Sequence, residues 1–134
     1  MSTVMNIGEA SLATGVSAKM IRHYEGVGLF PGPARTGSGY RQYGERELSM
    51  LRFIRQSREL GFSIEQIREL LALWQDRERP SRQVKALAEA HMARLDAKLR
   101  ELEQMKATLA HLVEACHGDE RPDCPILDGL AKNL

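Results

Sequence analysis

The stretch SRQVKALAEAHMARLDAKLRELEQMKATLAHLVEA, residues 81 to 115, decides how the rest of this chain can be arranged. It has no Pro and no Gly, and it is built mainly from Ala, Leu, Glu, Lys, Gln and Arg. Those residues lose little side-chain freedom on a helix. Pro80 stands just before it, and Ser81 can cap the first free amides. The stretch predicts one unbroken helix about 52 Å long at ~1.5 Å per residue, too long for the core of a 134-residue chain to bury.

The apolar residues say what such a helix packs on. Ala88, Met92, Leu95, Leu99, Leu102, Leu109 and Val113 recur at spacings of four and three, with Lys106 falling once in the seam. A period of ~3.5 residues marks a coiled coil, and a polar seam residue sets register at some cost in stability. A long surface helix folded on its own domain would carry a similar stripe. Only nineteen residues follow to cover it, however, so the expected partner is a second copy of the chain in a two-fold homodimer.

Composition bounds what surrounds that helix. No apolar run approaches the ~18 residues of a membrane span, and the N-terminus MSTVMNIGEA lacks the basic region and apolar core of a secretion signal. The expected location is the cytoplasm. Cysteines there form permanent disulfides rarely, so Cys116 and Cys124 are candidates for free thiols or metal ligands. The net charge is only +1, but residues 17 to 58 hold eight basic side chains against three acidic ones. Residues 61 to 134 hold eleven basic against thirteen acidic. A basic front half points to an anionic partner for that half alone.

The front half carries recognisable punctuation. Asn6 with Glu9 forms a capping box for a helix over residues 7 to 14, and Gly15 ends it. Ser17 caps a second helix from Ala18 to about Val27, bearing Lys19, Arg22, His23 and Tyr24. Helix, glycine turn and helix is the helix-turn-helix arrangement, whose second helix enters the DNA major groove, although short helix pairs also occur without DNA. The segment from Gly28 to Pro33 then breaks helix, and RTGSGYRQY, residues 35 to 43, follows. Gly37 and Gly39 predict a tight hairpin rimmed by Arg35, Tyr40, Arg41 and Tyr43, a wing able to lie along phosphates. An ordinary hairpin with solvated arginines would read the same. A third helix, Glu45 to Leu60, turns Leu48, Leu51, Phe53, Ile54 and Leu60 inward. Ser63 and Gln66 open a fourth, running to about Trp74 with Ile64, Ile67, Leu70 and Leu71 inward and Trp74 as a core or hinge anchor. Residues 76 to 80 read as a hinge.

The segments IGEASLATGVSAKMIRHYEGVGL, RTGSGYRQY and LRFIRQSRELGFSIEQIRELL together resemble the winged-helix reader of MerR-type transcription regulators. The resemblance covers essentially the whole chain. It implies a mainly α fold: a winged helix-turn-helix DNA-binding domain over 1–75, a hinge over 76–80, an antiparallel dimerisation helix over 81–115, and a metal-binding loop with a C-terminal helix over 116–134. It also implies a homodimer bound to promoter DNA with an over-long spacer. Effector binding then bends and untwists that DNA so that RNA polymerase engages both promoter elements.

The C-terminal ACHGDERPDCPI, residues 115 to 126, is similar to the metal loop of the copper-efflux regulators of this family, the CueR/HmrR type. Two cysteines flank seven residues there, and a helix over 126–131 would cover the loop with Ile126, Leu127 and Leu130. The chemistry agrees: two thiolates without a third soft ligand favour a soft, low-coordinate ion such as Cu(I), with Ag(I) and Au(I) as equivalents, whereas Zn(II) normally takes four ligands. Asp119, Glu120 and Asp123 read as loop-surface charges, His117 as a solvent-facing neighbour, and His91 and His111 as helix-surface or interface residues. In the family, the start of the dimer helix approaches the partner's metal loop, with a third Cys in divalent-ion sensors and Ser in the monovalent branch. This chain has Ser81.

The expected function is therefore a Cu(I)-responsive activator of copper-efflux or detoxification promoters. The competing reading from the same Cys pair is a thiol-redox-responsive regulator or a metal-buffering protein, which specific operator affinity would separate from it. No paired-carboxylate, nucleophile–base or phosphate-loop constellation suggests an enzyme.

Overall fold

The computed structural model describes residues 4–32 and 42–132. Six helices account for most of them: α1 (Ile7–Thr14), α2 (Ala18–Gly26), α3 (Glu45–Glu59), α4 (Ile64–Gln75), α5 (Ser81–Ala115) and α6 (Pro125–Ala131). The chain divides into two compact units, Met1–Val84 and Lys85–Leu134. The expected wing turn, with Arg35, Tyr40 and Arg41, lies outside the described residues.

In the first unit the helix ends form where short-range chemistry demands. The Glu9 amide donates to Asn6 Oδ1 at 2.8 Å, and the Asn6 amide returns a bond to Glu9 Oε1 at 3.1 Å. Gly15 leaves α1 at φ 75°, a left-handed conformation that side chains disfavour. Thr14 shapes the turn between α1 and α2. Its hydroxyl donates to Ala10 O at 2.8 Å and accepts from the Val16 amide at 3.2 Å. The Ser63–Gln66 box opens α4 in the same reciprocal way, at 2.8 and 3.2 Å.

Four helix faces and the segments connecting them close around one core. Ala10 comes from α1, Ile21 and Tyr24 from α2, Leu48, Leu51 and Ile54 from α3, and Ile67 and Leu71 from α4, with Leu29, Phe30 and Tyr43 between the elements. Met5 and Tyr43 exchange two backbone hydrogen bonds, 2.9 and 2.7 Å, as an isolated antiparallel bridge. Two expectations for this core change. Leu60 is 63 % exposed, because α3 ends at Glu59 and the chain turns away. Trp74 is half-exposed, yet its ring stacks on Phe53 at 4.7 Å and 9°, so it anchors the edge of the core.

A contact that no local pattern announces joins α4 to the end of α2. Arg68 donates from Nη1 to Gly28 O at 2.9 Å and from Nη2 to Val27 O at 3.0 Å. These carbonyls lie past the last turn of α2, where backbone acceptors lack helical partners. Replacing Arg68 by Ala should lower stability by about 1 kcal/mol, less than the ~1.5–3 kcal/mol of a buried charged donor because the side chain is partly solvated. Chemical denaturation checks this, and an unchanged midpoint would mean that water serves these carbonyls equally well.

In the second unit α5 runs without interruption, and its apolar seam faces outward in the single chain. Met92, Leu95, Leu99, Leu102, Leu109 and Val113 are all 40 % exposed or more. The buried residues of α5 are His91 and Leu112; of the two roles expected for His91, helix surface or interface, its burial removes the first. Beyond the loop, α6 presents Ile126 and Gly129 as its half-buried face. Leu127 and Leu130, expected to cover the loop, are instead 66 % and 59 % exposed. Leu127 stands about 100° around the helix from Ile126, away from that face; Leu130 shares the side of Ile126, and its exposure is not explained by register.

Candidate nucleic-acid interface and metal loop

Helix α2 is two-sided. Ile21 and Tyr24 point into the core, while Lys19, Arg22 and His23 are exposed. Residues three and four apart share a helix face, so these three form one cationic and polar edge. Ser17 begins that edge by accepting the Met20 amide at 3.2 Å.

The aromatic residues assigned to the same surface lie elsewhere. Tyr24 is only 5 % exposed and sits among the buried residues, its ring tilted against His23 at 5.9 Å. Tyr43 has no exposure at all, and its hydroxyl donates to Glu25 Oε1 at 2.5 Å. A buried ring whose hydroxyl is held by a carboxylate cannot also lie along a phosphate backbone. Tyr43 is a core residue tied to α2 through Glu25. The sequence reading misplaced it because cationic-aromatic alternation looks the same whether the aromatic faces DNA or the interior.

Two arginines counted in the basic balance of the front half are engaged internally. Arg55 donates from Nη1 to Thr14 O at 3.3 Å and pairs through Nε with Glu59 at 3.2 Å. It thereby braces the α1–α2 turn from α3. A Cβ on Gly15 would meet its guanidinium, the movable end of a long side chain, so the turn needs Gly chiefly for its left-handed φ. Arg58 donates weakly to Phe62 O at 3.4 Å across the α3–α4 turn. Sequence reasoning had no signal for the Arg55 brace, since donor and acceptor are 41 positions apart.

The loop after α5 is built differently. Cys116 stays tied to the last turn of α5 through its amide, which donates to Val113 O at 3.1 Å. Cys124 is the N-cap residue of α6, with Pro125 at the first helical position and the Asp128 amide donating to Cys124 O at 3.0 Å. Both thiols are free and half-buried. Between them Arg121 grips Asp119: its amide donates to Oδ1 at 3.0 Å and its Nε to Oδ2 at 2.8 Å. That side-chain bond, with the backbone bond beside it, holds the Asp119 carboxyl below the usual carboxylate range. Asp119 and Arg121 thus satisfy one another within the loop. His117, Glu120 and Asp123 are exposed.

Among the described residues, no group of three or more His, Cys, Asp and Glu side chains is gathered to hold a metal ion. The donor set in this loop is the two thiols. Such a set suits a soft ion content with two ligands and does not suit tetrahedral Zn(II). Ser81 is the first residue of α5 and is exposed.

Comparison with known proteins identifies the family of the chain. The family described as MerR HTH family regulatory protein matches residues 5–74, and that described as MerR, DNA binding matches residues 48–112. The chain is 57 % identical to the HTH-type transcriptional regulator HmrR of Sinorhizobium medicae, over 96 % of this chain and 87 % of that one. It is 41 % identical to the HTH-type transcriptional regulator CueR of Yersinia pestis, over 95 % and 91 % of the two chains. Among solved structures, the regulator PbrR691 from Ralstonia metallidurans CH34 in complex with lead(II) superposes with a TM-score of 0.82 at 35 % identity, covering 94 % and 98 %. MerR from Bacillus megaterium MB1 in complex with mercury(II) gives 0.74 at 29 % identity, covering 96 % and 100 %. With the reader helix pair, the long helix and these matches along nearly its whole length, the chain belongs to the MerR family of DNA-binding transcription regulators and is not an enzyme.

Proposed function

We propose that this chain is a metal-responsive transcription activator whose signal is Cu(I) or another soft monovalent ion, Ag(I) or Au(I). The observation that carries the reading is the donor set: two half-buried free thiols, Cys116 and Cys124, at the facing ends of α5 and α6. The similarity of the loop to that of the HmrR and CueR type supports it, and a relative 56 % identical bears the name heavy metal-dependent transcription regulator, while PbrR691 and MerR were solved with lead(II) and mercury(II). Selection between the two classes is then a matter of ligand count and charge. Two thiolates and one monovalent ion leave a net −1 site, and Ser81 of the partner subunit adds a dipole without a further negative charge. A Cys at that position would add a thiolate and suit an ion with one more positive charge.

The remaining assignments follow from the same division. Residues 1–75 read promoter DNA, 76–80 form the hinge, 81–115 hold the homodimer and 116–134 sense the metal. Lys19, Arg22 and His23 are the exposed DNA-facing groups of α2, and Arg35, Tyr40 and Arg41 are further candidate phosphate contacts. Cys116 and Cys124 would hold the ion between them, which would tie the end of α5 to the start of α6. The dimer transmits that change to the readers, which distort the promoter so that RNA polymerase engages both of its elements. Titrating reduced dimer with Cu(I) against a strong competing chelator, followed by run-off transcription, tests the reading. Failure to compete for Cu(I), or induction by Zn(II) alone, would overturn it.

Binding to the operator should also carry an electrostatic signature. Arg22→Ala is expected to weaken binding to specific and non-specific DNA alike and to lower the salt slope by ~1 for a lost phosphate contact. Anisotropy titrations at several salt concentrations measure this, and an unchanged slope removes Arg22 from the interface.

A further inference from the structure

Leu112 stands out on α5, being one of its two buried residues although its neighbours along the helix are exposed. The backbone of α6 comes against it at Gly129. A Cβ placed on Gly129 would overlap Leu112 Cδ2, and would lie 3.6 Å from both Cδ1 and Cγ. Gly129 occupies the interior of a seven-residue helix, where Gly costs about 1 kcal/mol relative to Ala. A helix that short carries the cost at the position where its backbone rests on the Leu112 side chain.

The placement of this contact matters because of what it closes. Leu112 lies about one turn ahead of Cys116, and Gly129 lies just over one turn beyond Cys124. Cys116 is fastened to α5 by its bond to Val113 O, and Cys124 to α6 by the bond from the Asp128 amide. Each thiol therefore moves with its own helix. The distance between the two helices at Leu112 and Gly129 then governs how near the thiols can come.

We propose that Gly129 is a positioning residue for the thiol pair: its missing side chain lets α6 seat on Leu112, and the depth of that seat sets the spacing of Cys116 and Cys124. The proposal rests on the reading of these cysteines as the metal ligands, but its geometric half concerns thiol proximity and can be measured without metal. A methyl group at residue 129 must displace Leu112 or lift α6. Lifting α6 separates the sulfurs, and an ion held by only two ligands has no other donor to compensate.

The test uses the full-length reduced dimer with Gly129→Ala, Leu112→Val, and the two combined; Val lacks the δ-carbons that the new methyl would meet. Phenylarsine oxide, which needs two neighbouring thiols, reports proximity, and competitive Cu(I) titration reports affinity. Gly129→Ala should slow arsenical capture and weaken Cu(I) binding by about 10–100-fold, the range for groups that orient metal ligands. The double variant should recover most of both, which a generally destabilised α6 would not do. Wild-type behaviour of Gly129→Ala in the arsenical assay, or loss without recovery in the double variant, overturns the proposal. If wild-type protein captures the arsenical but does not compete for Cu(I), the metal reading fails and the seat is still decided by the arsenical arm.

Discussion

Replacing Cys124 by Ser is expected to abolish metal-induced transcription while leaving operator affinity nearly unchanged, and Cys116→Ser should do the same. The two halves of that outcome have separate causes. The groups proposed to meet DNA lie in the first unit, whose core draws on α1 to α4 and contains no cysteine. The thiols lie in the second unit, one at each border of the loop between α5 and α6. With one thiol gone, a single soft donor remains. Asp119 is no substitute, because its carboxylate is already held by Arg121 and is a hard ligand. Run-off transcription with and without Cu(I), beside an operator-binding titration, reads both halves at once. Normal induction in the Cys124→Ser protein would show that the signal enters elsewhere. The complementary change, Ser81→Cys, should let Hg(II) or Zn(II) induce at least weakly, since it supplies a third thiolate to balance a divalent charge.

Leu102→Asp is expected to convert the dimer to monomers. In the single chain Leu99, Leu102 and Leu109 are 57 %, 59 % and 52 % exposed, on a helix whose seam continues to Val113 at 57 %. A row of that length left in water is an interaction surface, and its ~3.5-residue spacing suits another helix of the same kind. Leu102→Ala should destabilise the dimer by roughly 2–5 kcal/mol if the site is fully buried between apposed helices. The Leu102→Asp change adds the cost of burying an unpaired charge at the same place. Sedimentation velocity across a concentration series measures the result. A Leu102→Asp chain that ran as a full-strength dimer would place the seam on another face of α5.

The helices were legible in the sequence because the signals that make them are short-range. A capping box links Asn6 to Glu9 or Ser63 to Gln66, and Gly15 stops α1 because the chain there needs a left-handed φ. The uninterrupted run of strong helix formers from Ser81 to Ala115 left α5 no alternative. The candidate metal loop was equally open to reading, since a thiol pair and the absence of a third cysteine are facts of composition. What a side chain does once the helices meet was not legible. Tyr43 and Arg41 belong to the same cationic-aromatic segment, yet packing draws Tyr43 into the core and onto Glu25. Arg55 and Arg68 look like further basic surface until α3 and α4 bring them against backbone carbonyls some forty positions away. Ile126, Leu127 and Leu130 read together as the inward face of α6 by apolarity, but only Ile126 is half-buried, while Gly129 is the residue whose backbone comes against Leu112. Period and capping depend on neighbours within a turn or two, so residues in order suffice to reveal them. The face a short helix buries, and the carbonyl a long arginine finds, depend on distances between elements that only tertiary packing determines.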